Sequence, residues 1–448
     1  MKGSDTLRKF VFYIIGHLMV LSSYAFAIDV SGDIWGIWTA DNSPYNVVGS
    51  IRIPPDSSLI IEAGVRVLFC GECSLAVVNN ALIQADGTES DTIYFISGKG
   101  IRLDYPAQES YFHYCRISDM GNEVNGAVVV VGSSLGFRNC LLTYNWAHNF
   151  GGAISARNSS VLIEECEVYF NYLGPEFMIP WNIASGGGIF ALNSTLVVRR
   201  CIISRNYAEG ERGSGVGGGI YLANSNAVLE FNTISRNYAH YIQFNSYIDV
   251  YEGSGIYSGN SAVSIVNNII WGNTVSDIYT NGGSLEITYS DIGDTIPGDG
   301  NIYSDPMFVD SVGNDFHLQF GSPCINTGDP DSPLDPDSTR ADMGALFYDF
   351  RTDIDEPLPL PEQFILHQNY PNPFNATTNI SYQLPKASNV SIDIFDVTGR
   401  QVSSLFTGYQ AAGSYSIIWD ADRQVSGVYF YRLKASDISA IQRCVLIK

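Results

Sequence analysis

The sequence predicts an all-β chain in which a parallel β-helix, or solenoid, precedes a small antiparallel β-sandwich. Two observations predict the solenoid. Five segments place an asparagine 17 residues after an aliphatic residue, with no gap in any copy. Apolar residues recur at every second position inside them, as in half-buried strands, and a 3.6-residue helical period is missing. The five pairs are Val128 and Asn145, Ile154 and Asn171, Ile189 and Asn206, Ile220 and Asn237, and Ile256 and Asn273.

The spacing between the copies predicts one coil of the solenoid per copy. From each asparagine to the next aliphatic residue the distances are 9, 18, 14 and 19 residues, so one part of the unit is fixed and the other varies in length. Stacked coils lie about 4.8 Å apart, and equivalent residues then form columns along the axis. The expected columns include a bend series and an alternating charge series: Gly132, Asn158, Asn193, Asn224 and Asn260, then Arg138, Glu164, Arg199 and Glu230.

Glycine-rich stretches such as "GSGVGGG", which begins at Gly213, open several copies of the repeat. A phosphate-binding loop would require a lysine followed by serine or threonine at a fixed distance, and none follows. We therefore interpret these glycines as close-packed corners of the coils.

Composition and the first residues predict an exported protein. Residues 1–27 combine a weakly basic start, an apolar run over residues 10–21 and a small-x-small ending, which is typical of a cleaved signal peptide. No later segment has 18 uninterrupted apolar residues, so we expect no transmembrane segment in the mature chain. The net charge of −22 disfavours nucleic acid and anionic membranes as partners, and binding an acidic polysaccharide would require bridging cations or a local basic patch.

The eight cysteines do not form a disulfide framework. Cys70 and Cys73 form a single C-x-x-C pair without a second pair or a histidine at zinc spacing. This pattern does not favour a metal or redox role.

The coils resemble known right-handed parallel β-helix proteins. The pairing of a glycine-rich, aliphatic element with a later asparagine is similar to polymorphic outer-membrane-protein-type repeats. Upstream, "LIIEAGVRVLF" and "ALIQADGTESDTIYFIS" resemble entry coils of bacterial β-helices, and "GNIYSDPMFVDSVGNDFHLQFGSPCINTGDP" with "ADMGA" resembles the last coils of choice-of-anchor proteins. The resemblance implies a right-handed β-helix over residues 28–349. This fold carries lyases, hydrolases, adhesins and passive stalks alike.

Beyond an acidic, proline-rich linker at residues 350–363, strands of alternating polarity predict an immunoglobulin-like β-sandwich over residues 364–448. Its segments "QNYPNPFNATTNISYQLP", "VSIDIFDVTGRQV", "AGSYSIIWDA", "SGVYFYRLKA" and "VLIK" resemble the C-terminal sorting domain of proteins exported by the type IX secretion system. The resemblance implies a Bacteroidetes-like source and the type IX machinery as partner. It also implies transport through the periplasm and across the outer membrane, and attachment to surface lipopolysaccharide.

Three groups of residues are candidates for a site. The aromatic residues that follow four of the asparagines could contact sugars where the loops of variable length begin: Trp146, Tyr172, Tyr207 and Tyr238. Arg205 and Arg236 precede two asparagines and could form a small basic spot near Glu209, Glu211 and Arg212. The third group is a turn-rich acidic loop whose carboxylates could bind calcium: Asp329, Asp331, Asp335 and Asp337, with Asp342 beyond them.

The sequence favours a binding or structural module over an enzyme. No spacing suggests a catalytic constellation, and calcium is the only cofactor that any residue pattern suggests. We predict a secreted or cell-surface adhesin-like or glycan-binding module, with an extracellular glycan as partner. The alternative is a polysaccharide lyase or glycoside hydrolase built on the same coils.

Overall fold

Regular structure in the computed structural model is β-strand apart from a 3-10 helix at Ala40–Asn42, within the residues that it describes. Those residues are 27–105, 110–122, 124–174, 184–211, 215–243, 246–249, 253–349, 364–366, 368–369, 372, 374–410, 413–421, 424–436 and 438–448. The predicted signal peptide, apart from residue 27, and the predicted linker lie outside them. In this part of the chain no helix is long and apolar enough to cross a membrane.

The N-terminal coils contain eleven strands that join the long parallel sheet of the solenoid. Alternate side chains point inward along them, so that apolar residues fill the interior. The strands are β1 (Ile28–Asp33), β2 (Gly36–Trp38), β3 (Tyr45–Ile53), β4 (Ser58–Glu62), β5 (Arg66–Phe69), β6 (Leu75–Val78), β7 (Leu82–Asp86), β8 (Ile93–Ile96), β9 (Ile101–Asp104), β10 (Ser110–His113) and β11 (Cys115–Ser118).

The repeat region continues the same sheet and adds short strands from the loops of variable length. Its strands are β12 (Gly121–Asn122), β13 (Val128–Val131), β14 (Ser134–Arg138), β15 (Leu141–Thr143), β16 (Trp146–Ala147), β17 (Ile154–Arg157), β18 (Ser160–Glu164), β19 (Glu167–Tyr169), β20 (Tyr172–Leu173), β21 (Ala184–Ser185), β22 (Ile189–Leu192), β23 (Thr195–Arg199), β24 (Ile202–Ser204), β25 (Tyr207–Glu211), β26 (Gly215–Val216), β27 (Ile220–Ala223), β28 (Asn226–Glu230), β29 (Thr233–Ser235), β30 (Tyr238–Gln243), β31 (Ser246–Asp249), β32 (Ile256–Val266), β33 (Ile269–Trp271), β34 (Ile278–Thr288) and β35 (Asp291–Ile292).

Each repeat forms one coil with three parallel faces. We call them the first face (β13, β17, β22 and β27), the second face (β14, β18, β23 and β28) and the third face (β15, β19, β24 and β29). The strands β6 and β9 extend the first face toward the N-terminus, and β32 and β34 extend both the first and the second face toward the C-terminus. The predicted parallel solenoid is thereby confirmed.

The repeated asparagine forms a buried ladder at the end of the third face. The side-chain Nδ2 of each asparagine donates to the Oδ1 of its neighbour at 2.9–3.0 Å, and the ladder runs through Asn145, Asn171, Asn206, Asn237 and Asn273. Each Oδ1 also accepts the backbone N–H of the preceding asparagine. This ladder explains the invariant spacing of 17 residues, because shifting one coil by one residue would break all four of its asparagine bonds to the neighbouring coils.

The other columns also occupy equivalent positions. The bend series from Gly132 to Asn260 has φ between 47° and 57°, the left-handed conformation that glycine and asparagine tolerate best. Glu164 pairs with Arg138 and, at 3.6 Å, with Arg199, so neighbouring coils carry opposite charges as predicted. The buried thiols of Cys140, Cys166 and Cys201 accept backbone N–H groups from the adjacent coil and form no disulfide, whereas Cys70 and Cys73 form one.

Residues 302–348 depart from the expected coils. Strands of the parallel sheet end at Ile292, and the following segment contains an antiparallel hairpin, β36 (Phe308–Asp310) and β37 (Asp315–Leu318), that lies against the third face. Two apolar clusters attach it: Leu318, Cys324 and Met343 pack on Ile269, and Phe316 packs on Ile202. The segment lacks the alternating pattern and the asparagine of the repeat, so it covers the solenoid sideways instead of extending it.

The C-terminal unit, residues 349–448, has its own core. One sheet contains β38 (Ile365–Leu366), β39 (Thr377–Leu384) and β42 (Gly413–Asp420), and the other contains β40 (Ser388–Asp396), β41 (Gln401–Gln410), β43 (Gly427–Ala435) and β44 (Ile438–Leu446). The expected inward face of Val390, Ile392 and Ile394 is buried. These two antiparallel sheets form the predicted sandwich.

Asn369, Asn372 and Phe374 belong to an asparagine-rich motif that joins the start of the C-terminal unit to its last two strands. Asn369 is buried, and its N–H donates to the Tyr431 hydroxyl at 2.7 Å. The Oδ1 of Asn372 accepts the N–H of Val445 at 2.9 Å, and Phe374 exchanges backbone bonds with β44 and the residue after it. The motif therefore has a structural role in closing the sandwich.

Candidate functional site

The predicted aromatic column lies on a second sheet that the variable loops form beside the solenoid. This loop sheet contains β12, β16, β20, β25, β30 and β31. Trp146, Tyr172, Tyr207 and Tyr238 pair in register across it, and Gly121 pairs with Trp146 at the N-terminal end. The sequence therefore placed the four aromatic residues correctly relative to one another.

The column does not offer all of its ring faces to a ligand. The rings of Tyr207 and Tyr238 stack on each other, with centroids 4.6 Å apart and an interplanar angle of 5°. Burial raises the pKa of the Tyr207 hydroxyl, and the adjacent Tyr238 raises it further. Ring surface is more available at the other end of the column, where Tyr172 is 37% exposed and its hydroxyl donates to the Glu209 carboxylate at 2.6 Å.

The glycine corners lie where the loop sheet meets the first face. A Cβ atom on Gly187 would approach the carbonyl oxygen of Gly218 to 2.4 Å, and one on Gly218 would approach that of Tyr238 equally closely. Such contacts with backbone cannot be relieved by a side-chain movement. The glycines thus serve backbone packing between coils, as the sequence predicts.

A second aromatic column, which the sequence analysis missed, runs along the outside of the first face. Neighbouring ring centroids lie 4.8–5.5 Å apart through Phe150, Phe190, Tyr221, Tyr257 and Tyr279. The guanidinium of Arg157 lies over the Phe150 ring at 4.4 Å. The sequence does contain a signal for this column, because three of these residues stand 16 positions before a ladder asparagine.

The basic spot that the sequence suggested at Arg205 and Arg236 is covered by the chain itself. The guanidinium of Arg205 donates to the backbone carbonyls of Ser311 and Val312, and that of Arg236 lies 3.5 Å from the Ser311 hydroxyl. Arg205 also lies over the Phe170 ring. These arginines therefore hold residues 302–348 against the solenoid. The sequence alone could not reveal this contact between residues about a hundred positions apart.

The acidic loop is organised by its own turns. Asp335 is buried and accepts the N–H of Asp342 at 2.7 Å, while one oxygen of Asp337 accepts both the N–H and the hydroxyl of Thr339. Asp329 accepts the N–H of Asp331. Among the residues that the structure describes, no three histidine, cysteine, aspartate or glutamate side chains converge to hold a metal ion.

Comparison with known proteins agrees with this architecture. Residues 99–292 match the family model described as right handed beta helix region. The match agrees with the parallel coils of the structure, so these residues form a right-handed parallel β-helix. Residues 368–448 match the model described as secretion system C-terminal sorting domain, so the sandwich is a sorting domain of this kind.

Two further comparisons add little. The crystal structure of pectate lyase Pel9A is similar with a TM-score of 0.27 and 12% sequence identity, over 66% of this chain and 89% of the lyase chain. A similarity of this size carries no argument about activity. No curated protein matches the sequence.

The sorting domain establishes where the protein functions. It directs the chain to the type IX secretion machinery, across the outer membrane and to the cell surface or the extracellular space. The predicted localisation is thereby confirmed.

Proposed function

We propose that the solenoid is a glycan-binding, adhesin-like module that the sorting domain delivers to the cell exterior. The observation that carries the proposal is the in-register aromatic column on the loop sheet. Attachment of the exported chain to surface lipopolysaccharide belongs to the same proposal. An extracellular glycan is the proposed ligand.

The available end of the column, at Trp146 and Tyr172, has the chemistry that sugar recognition requires. Indole and phenol rings pack against the apolar faces of sugar rings, and adjacent polar groups satisfy the sugar hydroxyls. The Tyr172 hydroxyl donates to the buried Glu209 carboxylate, which fixes the orientation of the ring. The parallel sheet holds these groups rigidly, whereas the neighbouring loops differ in length from coil to coil, which suits a recognition surface on a constant scaffold.

The test is a titration of the full chain against a panel of neutral and acidic oligosaccharides by calorimetry. We expect the variant Trp146→Ala/Tyr172→Ala to lose at least about tenfold in affinity, which corresponds to roughly 1.4 kcal/mol. Tyr144→Ala is a matched control, because Tyr144 is 53% exposed on the same coil as Trp146 but stacks on Phe170, which is not a member of the column.

The outcomes separate the possibilities. Equal loss in Trp146→Ala/Tyr172→Ala and in the control, or the absence of binding to any glycan, would contradict the proposal. Monitoring the same mixtures in the ultraviolet detects unsaturated products, and their appearance would replace the binding module by a lyase.

A further inference from the structure

A groove of mixed polar and apolar lining opens on the outside of the first face, at the N-terminal end of the loop sheet. Its volume is about 230 Å³, which is below the roughly 300–1,000 Å³ of common small-molecule pockets and suits one unit of a longer chain. Residues from three successive coils line it, among them Ser74, Lys99, Gly100, Arg102, Asn122 and Asn125. Neither the aromatic column nor the acidic loop contributes to this lining.

The backbone holds the groove in a fixed shape. The N–H of Lys99 donates to the carbonyl of Cys73 at 2.7 Å, next to the disulfide that closes residues 70–73. On the other side, the Asn122 Nδ2 donates to the Lys99 carbonyl at 3.0 Å, and its Oδ1 accepts the N–H of Asn125. Gly100 lets the floor approach the next coil, since a Cβ atom there would lie 2.7 Å from the Ala127 carbonyl oxygen. The site is therefore built before any ligand arrives.

The lining of the groove contains two cations, Lys99 and Arg102, and each of them pairs with a carboxylate just outside the lining. Two of the only 24 lysines and arginines line it, against 46 acidic residues in the whole sequence, and no described lining residue is acidic. Further along the same face, burial lowers the pKa of Arg157, and the positive charge of Arg102 lowers it further.

Lys99 and Arg102 each pair with a carboxylate of the chain, and a bound anion could compete with these carboxylates. Lys99 pairs with Glu72 at 3.2 Å, and that carboxylate is 86% exposed. Arg102 contacts Asp104 through Nε at 2.7 Å, and its two terminal nitrogens make no hydrogen bond to the described part of the chain. Exposed ion pairs of this kind contribute little stability, so an incoming oxyanion can displace Glu72 or join Arg102 at small cost.

We propose that this groove binds the carboxylate or sulfate group of an acidic polysaccharide. Asn125 and Ser74 supply hydrogen bonds for the sugar hydroxyls, Lys99 and Arg102 bind the anionic group, and Asn122 keeps the groove in shape. The groove adjoins Asn122 of β12, whose neighbour Gly121 pairs with Trp146, so a linear glycan could continue from the groove onto the column. The inference rests on the proposed glycan-binding function and names the ligand class.

The test compares the full chain with the variant Lys99→Gln/Arg102→Gln. The ligands are a galacturonate oligomer, a sulfated disaccharide oligomer and a neutral oligomer of the same length. We expect the variant to lose at least about tenfold in affinity for the anionic oligomers, and binding of the native chain to weaken with added salt. Arg138→Gln/Arg199→Gln removes the same charge from the second face and serves as the control.

Each outcome decides the inference. Loss confined to the groove variant supports it, and the arm with the larger loss identifies carboxylate or sulfate. Equal loss in the control would show that the loss of affinity depends only on net charge, and it would overturn the inference. Binding of neutral oligomers alone, abolished by Trp146→Ala/Tyr172→Ala, would overturn this inference and leave the proposed function intact. No binding of any oligomer would overturn both.

Discussion

The replacement Asn206→Ala tests the register of the whole solenoid. The Oδ1 of Asn206 accepts the backbone N–H and the side-chain Nδ2 of Asn171, at 3.1 and 2.9 Å. Its Nδ2 donates to the carbonyl of Val168 and to the Oδ1 of Asn237, at 2.8 and 3.0 Å. All four bonds are removed by the substitution, and the side chain is fully buried, so water does not replace them readily.

The magnitude follows from those bonds. A buried hydrogen bond contributes about 1 kcal/mol net, and a buried donor without a partner costs about 1–3 kcal/mol. Four bonds then put the loss at about 4 kcal/mol, most of it on the coils of Asn171 and Asn206. Neighbouring coils template one another, so the loss should spread beyond one coil.

Urea unfolding followed by tryptophan fluorescence measures this free energy. Asn193→Gly is the matched control in the same coil: Asn193 is exposed, has φ of 50° and makes a single side-chain bond of 3.3 Å to Asn158. Glycine tolerates that conformation, so the control should stay within about 1 kcal/mol of the native chain. A loss of no more than about 1 kcal/mol in Asn206→Ala would refute the ladder as a stabilising element.

Three more predictions concern the core, the end of the ladder and export. Ile203→Asp should unfold several coils in a thermal melt, because it places an unpaired charge in the fully buried interior. Asp277 terminates the ladder by accepting from Asn273 at 2.7 Å, and burial raises the pKa of Asp277 and of Asp291 to about 7. The folded state therefore binds protons that the unfolded state releases near pH 4. For each of these two groups, the free energy of unfolding should fall by roughly 1.4 kcal/mol per pH unit as the pH rises from about 4 to 7. Asp277→Asn should therefore melt at a higher temperature than the native chain at pH 8. Deletion of residues 364–448 should leave a folded solenoid in the periplasm, detected by fractionation and by protease treatment of intact cells.

Controls exist for each of these. Ile203→Val should cost only about 1 kcal/mol, and a normal melt of Ile203→Asp would contradict the placement of this residue in the core. Exposed Asp299→Asn should leave the pH dependence unchanged, and an equal response in both aspartate variants would exclude a role for burial at Asp277. Surface display of the truncated chain would contradict the sorting role of the tail.

Much of the fold could be predicted because the solenoid is built from local, periodic rules. Alternation with a period of two decides which side chains point inward, and the constant spacing to the asparagine fixes how coils lie over one another. Trp146 and Tyr172 were found in this way, and Phe190 and Tyr221 could have been. The tail was recognisable because its asparagine motif and turn residues are needed to close the sandwich.

The sequence by itself thus determined the stacking of the coils, the position of the first aromatic column and the export signal of the tail. Only the tertiary structure decided that residues 302–348 turn sideways over Arg205 and Arg236, and that Lys99 and Arg102 share a groove with Asn122 and Ser74. The physical reason is that register propagates from residue to residue along a regular strand. Loops and lateral segments have no such period, and their positions depend on contacts between distant parts of the chain.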